Sequence, residues 1–141
     1  MLIHGSCHCG NITFDLVWPE HTETIGARAC TCTFCRKHGA VWTANASASL
    51  SVHVEDSRLL SDYAFGTETA DFRVCARCGV VACCTSLIEG KLYAVVNVNT
   101  FDDFDSSRLV RGEVSFDGEE EATRLARRAA NWIGDVRMTE L

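Results

Sequence analysis

Most of the chain before residue 116 consists of short segments in which apolar and polar residues alternate or β-branched residues are concentrated. This pattern is typical of strands, because successive side chains in a strand point to opposite faces of a sheet. Stretches of turn-forming residues separate the segments, as at 55–57, 65–67 and 89–91. We therefore predict a mainly β protein with strands at 11–17, 41–46, 50–54, 72–74, 80–85 and 92–98.

One segment near the C-terminus has helical periodicity instead. Acidic residues at 119–121 suit the N-terminus of a helix, and an apolar stripe follows at helical spacing. The stripe consists of Ala122, Leu125, Ala126, Ala129 and Ile133. We predict one C-terminal helix over residues 119–133 that packs on the sheet and leaves Arg124, Arg127 and Arg128 in solvent. A helix that binds a partner protein is the alternative.

Length and charge narrow the class of protein. The 141 residues, 47% of them hydrophobic, suffice for one domain with its own core, and we predict a single zinc-binding domain over 1–141. A formal charge of -6 argues against nucleic acid and anionic lipid as partners. No apolar stretch approaches the roughly 20 residues that span a bilayer. The odd cysteine count and the lack of a signal-like N-terminus predict a reducing, cytoplasmic environment.

Seven of the nine cysteines fall into three short clusters whose spacing is typical of metal ligands. The clusters are Cys7 with Cys9, Cys30 with Cys32 and Cys35, and Cys75 with Cys78. Zinc is bound tetrahedrally by thiolates from short loops, and Cys-x-x-Cys before a glycine is a common zinc-binding turn. The spacing therefore predicts zinc sites.

The first and last clusters together supply four thiolates. Cys7 and Cys9 point to the same side of an extended segment, because side chains in a strand alternate. Cys75 and Cys78 form a turn in which Gly79 relieves crowding. Joined together, the two pairs predict a closed structural zinc site whose metal contributes to the free energy of folding.

The middle cluster has three thiolates and no neighbouring fourth cysteine. Three protein ligands leave zinc an open position for water or substrate, as in catalytic sites. Alternatively, His38, Cys83 or Cys84 completes a second structural site. Plain thiols and an iron–sulfur cluster are further alternatives.

Cys83 and Cys84 are adjacent in a predicted strand, so their side chains point to opposite faces. We predict that both pack in the core, because a free cysteine behaves as a small buried hydrophobe. A redox or metal-handling role for this pair is the alternative.

Three motifs carry a resemblance to a known family. They are GSCHCG at 5–10, CTCTFCRK at 30–37 and FRVCARCG at 72–79. In this order and separation they resemble the glutathione-dependent formaldehyde-activating enzyme family, which includes centromere protein V-like proteins. The similarity covers residues 3–117, and the segment 119–133 falls outside it.

The resemblance implies a β-tent of small antiparallel sheets around zinc. It places a structural zinc at Cys7, Cys9, Cys75 and Cys78 and a catalytic zinc, the more labile of the two, at Cys30, Cys32 and Cys35. The implied activity is that of a carbon–sulfur lyase, in which glutathione or a related thiol and a small aldehyde such as formaldehyde form an S-hydroxymethyl adduct. Arg36 is the basic residue that the resemblance favours as a catalytic group.

The sequence departs from the family pattern at Thr31, where the family often has histidine. A hydroxyl can form a hydrogen bond near a thiolate, but it does not buffer a proton near neutral pH. The resemblance also allows a function of another class, a non-catalytic zinc module that binds a partner protein. The two hypotheses differ at one coordination position, because the module requires a fourth protein ligand in the middle cluster.

Overall fold

The structure, a computed structural model, describes residues 1–141 and contains eleven strands and two α-helices. The helices are α1 (Thr33–His38) and α2 (Glu121–Asn131). The strands are β1 (Leu2–Ser6), β2 (Ile12–Val17), β3 (Ile25–Cys30), β4 (Trp42–Thr43), β5 (Ser49–Val54), β6 (Leu60–Tyr63), β7 (Asp71–Cys75), β8 (Val81–Ile88), β9 (Lys91–Asn97), β10 (Leu109–Val114) and β11 (Asp135–Glu140). Neither helix is both long and apolar enough to cross a membrane.

The strands form two sheets. The smaller sheet has the order β1-β2-β5-β11 and the larger has the order β10-β3-β4-β9-β8-β7-β6. Most neighbours are antiparallel, but β10 pairs with β3 and β11 pairs with β5 in parallel. The β8–β9 hairpin turns at Glu89 and Gly90, which both have positive φ angles, of 50° and 79°. Glycine accepts this backbone conformation without steric cost, and such turns match the twist of the flanking strands.

The main core lies where the alternating apolar side chains of the two sheets meet. Leu16, Leu50 and Val52 of the smaller sheet are at most 1% exposed, and they belong to one cluster with Ala94 and Val96 of the larger sheet. Each large apolar side chain that is fully buried contributes about 1.5–3 kcal/mol. The hydrophobic periodicity of the sequence therefore defines the shared core.

The sequence predicted the central strands well. The predicted strands at 11–17, 50–54, 72–74, 80–85 and 92–98 correspond to β2, β5, β7, β8 and β9, whereas the strand predicted at 41–46 is reduced to two residues. The prediction of a mainly β protein with one main helix is confirmed. The remaining strands and the short helix α1 were not in our list of predicted elements. Among them, β3 consists largely of small residues, and β10 has four exposed residues in succession between two half-buried ones, so neither has a clear strand pattern.

The orientation predicted for the C-terminal helix is wrong. Ala122, Ala126 and Ala129 of the predicted apolar stripe are exposed, whereas Arg128 is only 7% exposed. The backbone of Ile133 exchanges two hydrogen bonds with Ala94 of β9, which anchors the end of α2 against the larger sheet. The helix thus packs near the sheet as predicted, but it turns its arginine face inward. Alanine side chains bury little apolar area, so the contacts made by arginine stems and guanidinium groups decide the orientation.

Candidate functional site

Two groups of cysteines converge in the structure. The first consists of Cys7, Cys9, Cys75 and Cys78, whose Sγ atoms all lie within 4.8 Å of one another. The Sγ atom of Cys9 lies 3.8 Å from that of Cys7 and 3.5 Å from that of Cys75. In a tetrahedral zinc site with bonds of about 2.3 Å, the sulfur atoms are about 3.8 Å apart. The donor set and its spacing are therefore compatible with zinc.

Two tight turns hold this first group. The backbone N–H of Ile12 donates to Cys7 Sγ at 3.2 Å, and the backbone N–H of Cys78 donates to Cys75 Sγ at 3.4 Å. Gly79 has a φ angle of 80°, which a residue with a side chain rarely adopts. Because the turns follow β1 and β7, the group joins the edge of the smaller sheet to the larger one.

The second group consists of Cys30, Cys32 and Cys35, which also lie within 4.8 Å of one another. Cys30 ends β3, and Cys32 caps α1 by accepting a hydrogen bond from the backbone N–H of Cys35 at 3.4 Å. Trp42 of β4 donates its indole N–H to Cys35 Sγ at 3.4 Å. One strand end, one helix turn and one tryptophan thus position the three thiols.

The electrostatics of the second group favour a bound cation. A hydrogen bond from the Cys35 thiol lowers the pKa of Cys30 to about 5, with further hydrogen bonds from Cys32. The same contact with Cys30, together with burial, raises the pKa of Cys35 far above its ordinary value. Without a cation, three thiolates this close repel one another. The negative charge of Cys30 is stabilised only because Cys35 keeps its proton. A metal ion would remove that conflict.

No fourth metal-ligating side chain joins the second group. The ring of His38 packs against Phe34 with 4.4 Å between ring centroids. Cys83 belongs to the main core and Cys84 to the smaller cluster beside the second group, so they face opposite sides of β8. The prediction that both pack in the core is confirmed, since they are 0% and 2% exposed.

A cavity of about 140 Å³ opens beside the second group. The three thiols form one side of it. Aromatic rings form much of the wall, including Trp42 and Phe72 of the larger sheet and Trp132 after α2. The lining also includes four arginines, namely Arg28, Arg124, Arg127 and Arg128. The structure therefore places the three thiols, several aromatic rings and a group of arginines around one compact space.

Polar contacts hold two of the arginines from α2 in defined positions. Arg127 makes a bidentate ion pair with Glu119, with N–O distances of 3.1 Å, and its guanidinium lies 3.5 Å from the ring centroid of Phe116. Arg128 donates to the hydroxyl oxygens of Thr69 at 2.9 Å and Ser86 at 3.2 Å. The prediction that these side chains extend into solvent is therefore wrong, because Glu119 just before the helix holds Arg127 and distant hydroxyl groups hold Arg128.

Comparison with known families identifies the chain. Residues 2–115 match the model of the family described as glutathione-dependent formaldehyde-activating enzyme. The chain belongs to this family. All seven clustered cysteines lie inside the matched region, and α2 lies outside it. Membership of the glutathione-dependent formaldehyde-activating family confirms the resemblance and indicates, in general terms, a glutathione-related function with formaldehyde.

One solved structure is similar to this member of the family. It is the crystal structure of a Rhodobacter sphaeroides protein, which is 26% identical in sequence and has a TM-score of 0.54. The similarity covers 74% of the present chain and 92% of the other chain. No curated protein matches the sequence.

The structure brings together the predicted cysteines but leaves Arg36 apart from them. Arg36 is exposed on α1 and is absent from the lining of the cavity. Its catalytic role stays a prediction, and the geometry of the cavity does not support it. The arginines of α2 were not predicted to line a site. The available signal was the placement of three arginines within five residues of a short helix in an acidic chain.

Proposed function

We propose that this protein is a zinc-dependent carbon–sulfur lyase that acts on a thiol adduct of a small aldehyde, as in the formation of S-hydroxymethylglutathione from glutathione and formaldehyde. The observation that carries the proposal is the group of Cys30, Cys32 and Cys35, which has no fourth protein ligand and lines a cavity. The group at Cys7, Cys9, Cys75 and Cys78 would hold a structural zinc, since its four thiolates saturate a tetrahedral ion.

The reaction adds a thiol across a carbonyl group. A bond forms between sulfur and the carbonyl carbon, the carbonyl π electrons move to oxygen, and the proton lost by the thiol is balanced by one gained at that oxygen. A zinc ion at the second group would supply a Lewis acid that favours the thiolate and polarises the carbonyl. The reverse reaction breaks the same carbon–sulfur bond.

The residues of the chain itself contribute position and environment. The hydrogen bond from Trp42 fixes the orientation of Cys35, and such neighbours of metal ligands tune both affinity and geometry. The aromatic wall, which includes Phe72 and Trp132, limits the access of water to the space next to the thiols. Exclusion of water strengthens every charge interaction with a bound substrate.

The non-catalytic zinc module is the other candidate. It requires a saturated middle cluster, and the lack of a fourth ligand from His38, Cys83 or Cys84 argues against it. A purely structural metal site also requires no adjoining cavity. We therefore favour the enzyme.

Zinc content and exchange kinetics test the proposal together. We expect two zinc ions per wild-type chain and one in a Cys30→Ser, Cys32→Ser, Cys35→Ser triple variant. With ¹³C-formaldehyde and either glutathione or a short thiol acid such as 3-mercaptopropionate, we expect the wild type to accelerate exchange between free aldehyde and adduct above the spontaneous rate, and the triple variant to lose the acceleration. If the triple variant loses one zinc ion but the wild type accelerates exchange with neither thiol, the result would instead support the module.

A further inference from the structure

The basic side of the cavity comes largely from a segment that the family match does not include. The match ends at residue 115, whereas Arg124, Arg127 and Arg128 lie on α2 and Arg28 lies on β3. These four side chains line the same cavity as Cys30. The cavity therefore combines the cysteine group of the family with a basic wall specific to this chain's C-terminal segment.

The charges around the cavity do not balance. Two acidic groups oppose the four arginines: Asp117, which lines the cavity, and Glu119, which pairs with Arg127. The thiolate of Cys30, which also lines the cavity, is a third negative charge, so one positive charge remains locally in a chain with a formal charge of -6. Like-charged side chains gathered in a partly buried space repel one another, and an anion between them relieves that repulsion.

The hydrogen-bonding capacity of this wall is also incompletely used. Arg128 is only 7% exposed, and its buried Nε atom has no hydrogen-bond partner. The buried Nε atom of Arg124 likewise lacks a hydrogen bond, because the nearest Glu119 oxygen, at 3.4 Å, is poorly aligned. A buried donor without an acceptor is costly. Neither Nε atom is open to the cavity, so a ligand there would bind the terminal nitrogens that donate no hydrogen bond within the chain, Nη1 of Arg124 and Nη2 of Arg128.

Arg28 is half-buried in the lining of the cavity and has no acidic partner within the chain. Its guanidinium takes part in no salt bridge and donates no side-chain hydrogen bond. Arg127 differs from it, because the two oxygens of Glu119 already satisfy its fork of donors. The arginines with unused capacity are therefore Arg28, Arg124 and Arg128.

We propose that Arg28, Arg124 and Arg128 bind the carboxylate of the substrate, and that the substrate is a short thiol acid or its aldehyde adduct with its sulfur toward Cys30, Cys32 and Cys35. Guanidinium groups bind carboxylates with paired, charge-assisted hydrogen bonds. The cavity of about 140 Å³ is small beside the roughly 300 Å³ at which common ligand sites begin, which favours a compact molecule. The thiol half of this assignment rests on the proposed function, whereas the carboxylate half rests on the arginines alone.

Binding of matched small molecules to the zinc-loaded protein tests the assignment by calorimetry. The probes are 3-mercaptopropionate, which has both groups, 2-mercaptoethanol, which has only the thiol, and propionate, which has only the carboxylate. We expect Arg28→Gln to weaken binding of 3-mercaptopropionate and propionate by about tenfold or more and to leave 2-mercaptoethanol unchanged. Arg58→Gln is the matched control, because Arg58 is an exposed arginine that does not line the cavity, and its replacement should change the binding of none of the three probes.

The outcomes separate this inference from the proposed function. If Arg28→Gln and Arg124→Gln bind 3-mercaptopropionate as tightly as the wild type does, the carboxylate site is overturned. The proposed function would still stand in that case if 2-mercaptoethanol binds and its binding requires Cys35. Arg28-dependent binding of propionate without any binding of 2-mercaptoethanol would support the carboxylate site and count against thiol chemistry. If inorganic phosphate binds more tightly than propionate and its binding depends on Arg28, the choice of a carboxylate is overturned. If glutathione binds as tightly as 3-mercaptopropionate, the choice of a short molecule is overturned.

Discussion

Trp42 donates its indole N–H to the Sγ atom of Cys35 at 3.4 Å, which links a residue of the larger sheet to the second cysteine group. Both side chains are almost completely buried, at 6% and 3% exposure. A neighbour of this kind fixes the direction of a ligand's lone pairs and disperses its negative charge. The relationship therefore makes Trp42 a positioning residue for the candidate metal centre.

We expect Trp42→Phe to weaken zinc binding at the second group about tenfold, because removal of an outer hydrogen bond typically costs 10- to 100-fold in metal affinity. Competition with a chromophoric chelator measures the two zinc ions separately, and the ion at Cys7, Cys9, Cys75 and Cys78 should be unaffected. Trp132→Phe is the control, since Trp132 also lines the cavity but donates no hydrogen bond to a thiol. Equal losses in both variants would mean that packing, and not the hydrogen bond, supports the site.

The ion pair between Glu119 and Arg127 predicts a pH-dependent contribution to stability. Hydrogen bonds from Arg127, with the charges of Arg127 and Arg124, hold the pKa of Glu119 below its ordinary value of 4.5. A lowered pKa in the folded state gives stability that is present above pH 4.5 and is lost as the pH falls through the folded-state pKa. We expect Glu119→Gln to lower the free energy of unfolding by about 1 kcal/mol at pH 7.

Denaturant unfolding at several pH values measures that difference. The gap between the wild type and Glu119→Gln should shrink as the pH is lowered below 4.5. Glu140→Gln is the control, because Glu140 is exposed at the end of β11 and forms no ion pair. A gap that stays constant across this range would show that the glutamate acts through its shape and not through its charge.

Gly5 of β1 lies directly under the ring of Phe14, its partner on β2. A Cβ atom at Gly5 would overlap three atoms of that ring, so the ring or the strand would have to move. We expect Gly5→Ala to destabilise the protein by about 1–3 kcal/mol, the usual cost of overpacking a core. Thermal or denaturant unfolding provides the measurement.

Gly26→Ala is the matched control for that variant. Gly26 also lies in a strand, but a Cβ atom there has no neighbour within 4 Å. We expect its free energy of unfolding to stay within about 0.5 kcal/mol of the wild type. Similar losses at both positions would contradict the role assigned to the Phe14 ring.

Cys83 and Cys84 should be chemically inert in the native protein. Burial raises the pKa of Cys83 to about 12 and raises that of Cys84 further, so neither forms the reactive thiolate near neutral pH. Native alkylation followed by mass spectrometry should leave both unmodified, whereas alkylation after unfolding should label both. Labelling of either residue in folded, metal-loaded protein would revive the redox or metal-handling alternative.

Much of the architecture could be predicted from the sequence because strand periodicity is a local property. The buried strands β2, β5, β8 and β9 alternate or concentrate apolar residues, and that pattern was sufficient to find them. The strand β11 instead follows a helix and obtains its place by parallel pairing with β5, more than 80 positions earlier in the chain. Pairing over such distances leaves little trace in the local pattern.

The sequence by itself determined the three cysteine clusters, because ligands spaced two or three residues apart on short turns have few ways to be arranged around one metal. The convergence of Cys7 and Cys9 with Cys75 and Cys78 depends on the tertiary structure, which brings the two turns together. Only the tertiary structure decided which face of α2 points inward. Thr69 and Ser86 come from segments distant in the sequence, and their hydroxyl oxygens draw Arg128 toward the cavity, while the predicted alanine stripe faces solvent. Helical periodicity identifies two faces but not the partner of each, since that partner exists only after distant segments have come together.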